Sequence, residues 1–208
     1  MIPSAADTHL TEHRVAGEVI LQGSFLQVRR DSVKLPDGGH ATREYVVHPG
    51  AVVIIPMDTD DVGKVRLILE RQFRYPLGRV MIEFPAGKVD AGENLLTSAQ
   101  RELREETGYT AKEWAHAGVM HPVPAYSTEF IDIWFARGLT LGDRQLDVGE
   151  FVEVIEASPA QLSQWCCDGT VTDAKTLAGA LWLQNVLSGV WTLDWRFNEN
   201  YVDRTIAS

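Results

Sequence analysis

Hydrophobic and polar residues change rhythm several times along this chain, and each rhythm predicts an element. Over residues 15–35 apolar positions tend to alternate with polar ones, Val19, Leu21, Phe25 and Val28 standing among polar neighbours. A period of two is that of a strand with one covered face. Pro36-Asp37-Gly38-Gly39 signals a turn, and residues 42–48 read as the returning strand of a hairpin. Pro49-Gly50 punctuates next and marks the expected seam between an N-terminal region, 1–48, and a main domain, 49–208. Residues 51–56 form a continuous apolar run, as expected of a strand buried on both faces. After a polar turn over 58–64, strands are expected over 65–73 and 80–84.

From Leu95 the period lengthens. Leu96, Ala99 and Leu103 fall on one helical face, and Gly108 is a natural C-terminal stop. Strands follow near 115–120, 129–137 and 150–155. Two helices come last: one from Pro159 to about Cys167, one with Thr172 as its expected N-cap and an end near Ser188-Gly189. The polar residues 1–13 are expected to fray, and 191–208 are assigned to no element. Strands and helices mix without strict alternation. That predicts an α/β (α+β) sandwich with a mixed sheet plus a small N-terminal antiparallel β region, rather than a doubly wound fold. No glycine-rich dinucleotide or P-loop signature is present.

Composition narrows the function classes. A chain of 208 residues buries enough surface for a core without disulfides, and 45% hydrophobic with 23% charged residues is ordinary for a soluble globular protein. The balance of 19 basic against 29 acidic residues, a net charge of −10, argues against sequence-independent nucleic-acid binding and against docking on an anionic membrane. No apolar run approaches the roughly 20 residues of a membrane span. Residues 1–10 lack the basic and apolar regions of a signal peptide, so a cytoplasmic location is expected. Cys166 and Cys167 are adjacent, cannot staple distant segments, and are expected to be reduced thiols.

Candidate chemistry concentrates between Gly87 and Tyr109. Glu102, Glu105 and Glu106 share one helical face, where three like charges repel. A hard divalent cation would relieve that repulsion, because Mg²⁺ and Mn²⁺ prefer carboxylate oxygens. Glu93, on the loop before the helix, can fold back toward that face, and Arg101 stands where it can orient Glu105. The competing reading is a solvated charged helix face, which is what most charge runs are. The whole segment decides between them. Gly87, Glu93, Arg101, Glu102, Leu103, Glu105, Glu106, Gly108 and Tyr109 match every position of the Nudix box. A chance match to its seven fixed residue types is on the order of 10⁻⁷ at average usage.

The chain therefore resembles the Nudix hydrolases. Arg71-Gln72-Phe73-Arg74-Tyr75-Pro76, followed by Glu83-Phe84-Pro85-Ala86-Gly87, is similar to the flank of the ADP-ribose pyrophosphatases. Pro124, sixteen residues after Gly108, stands where that group usually carries a proline, but in Val-Pro-Ala rather than Ser-Pro-Gly, a departure that bears on substrate. The resemblance implies an α/β/α sandwich and Mg²⁺-dependent hydrolysis of ADP-ribose to AMP and ribose 5-phosphate. The alternatives are another nucleoside diphosphate sugar, such as GDP-mannose, or a non-catalytic nucleotide-binding module. It implies Glu102 and Glu106 as main metal ligands, Glu105 as ligand or base, and the Ala86 carbonyl and Glu150 as further ligands. Val148 stands where some relatives carry the general base, which leaves Glu105, Asp147 and Glu150 as candidates. Arg74 is implied as a diphosphate contact, Glu83 as a contact near the terminal ribose, and Arg43 and Glu129 as further substrate contacts. A homodimer built through residues 1–48 is implied as well.

Overall fold

The computed structural model describes residues 7–198. The single alternating stretch at the N-terminus is two strands, β1 (His13–Gln22) and β2 (Gln27–Lys34). The Gly23 amide donates to the Leu26 carbonyl at 2.8 Å and closes a tight turn between them. The turn is hard to see in sequence because Phe25 and Leu26 keep its composition strand-like. With β3 (His40–Val47) they form a three-stranded antiparallel meander in which all ten residues of β1 are exposed.

The second sheet has eight strands: β4 (Ala51–Thr59), β5 (Val65–Arg74), β6 (Arg79–Glu83), β7 (Ala86–Lys88), β8 (Tyr109–Met120), β9 (Ile131–Leu141), β10 (Val152–Ala157) and β11 (Arg196–Phe197). Its path runs β10-β5-β4-β9-β8-β11, with β6 on β5 and β7 on β4. β4 lies parallel to β9 and antiparallel to β5 and β7, so the sheet is mixed as the sequence suggests.

β4 is central because its apolar run serves both faces. Val52 and Ile54 pack with Leu96, Ala99 and Leu103 of α1 (Leu95–Thr107) and with Trp114 and Trp134. Val53 and Ile55 pack on the opposite face with Phe84 and Phe135, with Leu162 of α2 (Pro159–Asp168) and with Leu183 of α3 (Ala174–Leu187). The result is an α/β/α sandwich. Loss of a fully buried leucine such as Leu103 from such a core costs about 2–5 kcal/mol.

Caps fix where the site-bearing helices start. The Asn94 side chain accepts from the Thr97 amide at 2.7 Å, and Gly108 ends α1 in the left-handed region at φ 78°. The N-cap of α3 is Asp173, not Thr172: Asp173 accepts from the Thr176 amide at 2.9 Å. The Thr172 hydroxyl instead accepts from Arg79 at 2.6 Å. Both residue types cap well, and sequence alone does not resolve a one-residue offset between them. β11, within the stretch that pattern left unassigned, pairs with β8; residues 199–208 lie outside the described residues. Among the described residues no helix is long and apolar enough to cross a membrane.

Candidate active site

β4, β7 and α1 converge on one edge of the sandwich. Pairing Val52 with Gly87 and Val53 with Ala86 places the start of the box against the central strand. Glu102 reaches back from α1 onto Gly87 so closely that a Cβ there would lie 2.0 Å from its carboxyl. The Ala86 amide donates to Glu106 at 2.9 Å. Arg101 ties the loop to the helix, donating to Glu93 at 2.9 and 3.1 Å, to Glu102 at 2.7 Å and to Glu105 at 3.1 Å. Its fork also reaches the Lys88 carbonyl at 3.1 Å, and Ser98 donates to Glu93 at 2.5 Å. The sequence pairing of Arg101 with Glu105 is thus one strand of a wider clamp.

Burial disfavours the charged form of two of these carboxylates. It pushes Glu102 up to about 7, Arg101 opposing and Glu105 and Glu150 adding to the rise. Burial, then the charges of Glu70, Glu102 and Glu150, holds Glu106 well above the ordinary carboxylate range. Crowded acidic oxygen donors around a seat that only glycine leaves open fit a hard divalent cation. Glu102 and Glu106 would hold it. Among the described residues, no three Asp, Glu, His or Cys side chains converge on one point at ligating distance. Glu102 faces Arg101.

A stability profile follows from Glu102. Its raised pKa means the folded protein holds this proton more tightly than the unfolded chain. Between the unfolded value near 4.5 and about 7, stability therefore falls as pH rises. The metal-free protein is expected to melt roughly 5 °C lower at pH 7.5 than at pH 5.5, with Mg²⁺ recovering more of the loss at the higher pH. Glu70 and Glu106, raised in the same direction, add to the fall. Calorimetry in chelator, then in excess Mg²⁺, measures it, and a flat profile without metal would mean that these buried acids are already ionised.

The cluster forms one wall of a cleft of 680 Å³, and its other walls gather much of what the sequence singled out. Glu150, on the loop after β9, accepts from the Gln72 side chain at 3.2 Å, and its own amide donates to the Asp147 carbonyl at 3.0 Å. Arg74 lies across the cleft floor, donating twice to Glu83 at 2.9 and 2.7 Å. Glu83 is only 1% exposed and sits behind Arg74 instead of lining the opening. Burial alone would raise its pKa; the bonds from Arg74 and the charge of Lys175 outweigh burial and hold it low. Glu129 stands at the rim, 3.8 Å from His48 Nε2, while His48 Nδ1 accepts from the Gly50 amide. The structure does not bring Arg43 to this cleft: it lies on β3 and pairs with Glu12.

Several groups in or behind the cleft escaped sequence reasoning. Gln72 lies within a quoted motif but drew no role. Phe25 reaches the cleft from the β1–β2 turn, edge-on to His48 at 5.4 Å and under Lys88 at 4.5 Å. Glu70 is wholly buried, and burial pushes it up to about 8, with Lys175 opposing and Glu83 adding. A glutamate ending the otherwise apolar Leu67-Ile68-Leu69 run of a core strand was the available signal.

Comparison with known proteins agrees with the geometry. The NUDIX domain profile matches residues 47–176, and the nucleoside diphosphate sugar hydrolase N-terminal domain profile matches residues 12–46. The chain belongs to the Nudix family, and with its box complete it is a catalytic hydrolase of the pyrophosphatase type. It is 38% identical over 177 residues to an ADP-ribose pyrophosphatase of Bacillus subtilis, covering 84% of this chain and 94% of that one. It is 33% identical over 175 residues to a methanol dehydrogenase activator of Bacillus methanolicus, covering 83% and 92%. An ADP-ribose pyrophosphatase of Mycobacterium tuberculosis is 34% identical over 178 residues, covering 84% of each chain. The crystal structure of an ADP compounds hydrolase shares the fold, with a TM-score of 0.75 at 19% identity over 87% of this chain and 97% of that one.

Proposed function

We propose that this chain hydrolyses the pyrophosphate bond of ADP-ribose to AMP and ribose 5-phosphate, with Mg²⁺ as its metal and Mn²⁺ as a substitute. The observation that carries the reading is a single cleft with crowded acidic oxygens on one wall and the Arg74 guanidinium on its floor. A bound divalent ion supplies charge neutralisation at the diphosphate and a more acidic water. Glu102 and Glu106 hold that ion, with Glu105, Glu150 and the Ala86 carbonyl as further donors. Arg101 orients Glu93, Glu102 and Glu105. Arg74 binds the diphosphate through charge-assisted hydrogen bonds, and Glu129 lies at the rim near the sugar or base. The proton acceptor is drawn from Glu105, Asp147 and Glu150, all on the cleft wall. The names of two relatives that this chain largely covers, from Bacillus subtilis and Mycobacterium tuberculosis, support ADP-ribose as substrate.

A second reading, hydrolysis of another nucleoside diphosphate sugar, is favoured by the breadth of names among relatives, which include an ADP-sugar pyrophosphatase of Mus musculus. One experiment separates them. Purified protein with Mg²⁺ is offered ADP-ribose, ADP-glucose, GDP-mannose, NADH and dinucleoside polyphosphates, and the products are identified. ADP-ribose is expected among the best substrates, with AMP and ribose 5-phosphate as products; its absence from that group sinks the first reading. We also infer a cytoplasmic homodimer joined through the N-terminal sheet, whose exposed β1 carries Val15, Val19, Ile20 and Leu21 to solvent in the single chain. Sedimentation of the same preparation at the mass of one chain would remove that inference.

A further inference from the structure

We propose that Lys175 is a positioning residue for diphosphate binding: by sharing Glu83 with Arg74, it keeps the Arg74 charge from being outweighed by the carboxylates around it. The proposal rests on the reading above that Arg74 meets a diphosphate. Lys175 lies in the first turn of α3 with its side chain only 11% exposed. A buried ammonium is costly unless paired, and this one is paired on both sides. It donates to Glu83, and it stands 3.1 Å from Asp173. Asp173 is fixed in turn by capping α3, accepting from the Thr176 amide at 2.9 Å and the Thr176 hydroxyl at 2.7 Å. The same hydroxyl accepts from the Phe84 amide at 3.0 Å, which pins the start of α3 to the residue beside Glu83. Asp173, Lys175, Glu83 and Arg74 therefore form one continuous chain of contacts, of which Asp173, Lys175 and Arg74 line the cleft and Glu83 lies behind them.

The sign of the charges gives the chain its purpose. Arg74 and Glu83 alone sum to zero, and their paired fork would offer a phosphate almost no net attraction. The pair is also flanked by Glu70 and Glu106, which add negative charge beside Arg74 whenever they ionise. Lys175 returns one positive charge to this group. Asp173 turns one oxygen to Lys175 and the other to the start of α3, so the four groups sum to zero with Lys175 and to one negative charge without it. Glu83 keeps its geometric task, since its two oxygens hold the Arg74 fork flat, while Lys175 answers its charge.

The test uses the full chain with Mg²⁺, ADP as a binding probe followed by titration calorimetry, and ADP-ribose turnover. Lys175→Met is expected to weaken ADP and raise KM by about tenfold, with kcat changed by less than about threefold. Adding Glu83→Gln to Lys175→Met removes the uncompensated negative charge while an amide oxygen still accepts from Arg74. That double variant is expected to recover ADP affinity to within about threefold of the unmodified protein. A merely structural Lys175 would make the double variant worse than the single, and that result overturns the proposal, as does an unchanged affinity in Lys175→Met. Should Lys175→Met lose its cooperative melt, the double variant, which removes both buried charges together, decides alone: near-normal ADP affinity supports the proposal and a tenfold loss overturns it. An unmodified protein that binds ADP but leaves ADP-ribose intact defeats the substrate reading, and the ADP comparison still decides the role of Lys175. An unmodified protein that does not bind ADP overturns that role.

Discussion

Replacing Glu106 by Gln is expected to lower kcat/KM by about 10³-fold and, at the same time, to raise the melting temperature of the metal-free protein. The two effects share one cause. Glu106 is almost wholly buried beside Glu70, Glu102 and Glu150, and burial, then the charges of those neighbours, raises its pKa well above the ordinary range. Gln has the same shape, and its amide oxygen still accepts from the Ala86 amide, which now reaches Glu106 at 2.9 Å. The fold therefore loses a crowded buried acid and keeps its hydrogen bond. The site loses an anionic oxygen donor that Mg²⁺ requires. Since a catalytic metal contributes several kcal/mol and each ~1.4 kcal/mol is a factor of ten, the loss reaches about three decades. Steady-state rates in Mg²⁺, Mn²⁺ affinity by calorimetry and a melting curve check the three parts. Activity within tenfold of the unmodified enzyme would remove Glu106 from the ligand set.

The prediction depends on residues that a sequence pattern exposes well. α1 was legible because Leu96, Ala99 and Leu103 keep helical spacing under a glycine stop, and the glutamates between them occupy the other face. β4 was legible because only a doubly buried strand has a use for an uninterrupted Val52-Val53-Ile54-Ile55 run. What stayed hidden involves partners far apart in sequence. Glu83 looked like a contact with substrate because its motif sits beside the box. Its burial against Arg74 and Lys175, the latter 92 residues away, shows that it faces inward. The pairing of Lys175 with Glu83 stays hidden until α3 docks beside β6. Phe25 looked like part of an alternating strand, and only the tight turn at Gly23 turns its ring toward His48. Arg43 shows the converse case. Its residue type suits a phosphate, but β3 carries it to a pairing with Glu12 outside the cleft.

Gly87→Ala is expected to reduce kcat by about 10²-fold with a melting temperature almost unchanged. The backbone at this position tolerates alanine, since its φ lies outside the left-handed region, so the substitution adds no conformational strain. What it adds is a methyl group 2.0 Å from the Glu102 carboxyl. The obstructing atoms belong to the far end of a flexible side chain, so Glu102 swings away and the strand stays where it is. Its nearest refuge is Arg101, which already donates to it at 2.7 Å. The carboxylate is then displaced from the box wall by an ångström or more, and a misplacement of about 1 Å can cost about 10²-fold in a preorganised site. Shortening the side chain should reverse part of the loss. In the Gly87→Ala/Glu102→Asp double variant the acid is one methylene shorter and clears the new methyl, so its activity is expected to exceed the product of the two single effects. Such a gain is the mark of a direct steric contact; strictly multiplicative losses would mean that the working position of Glu102 lies away from residue 87.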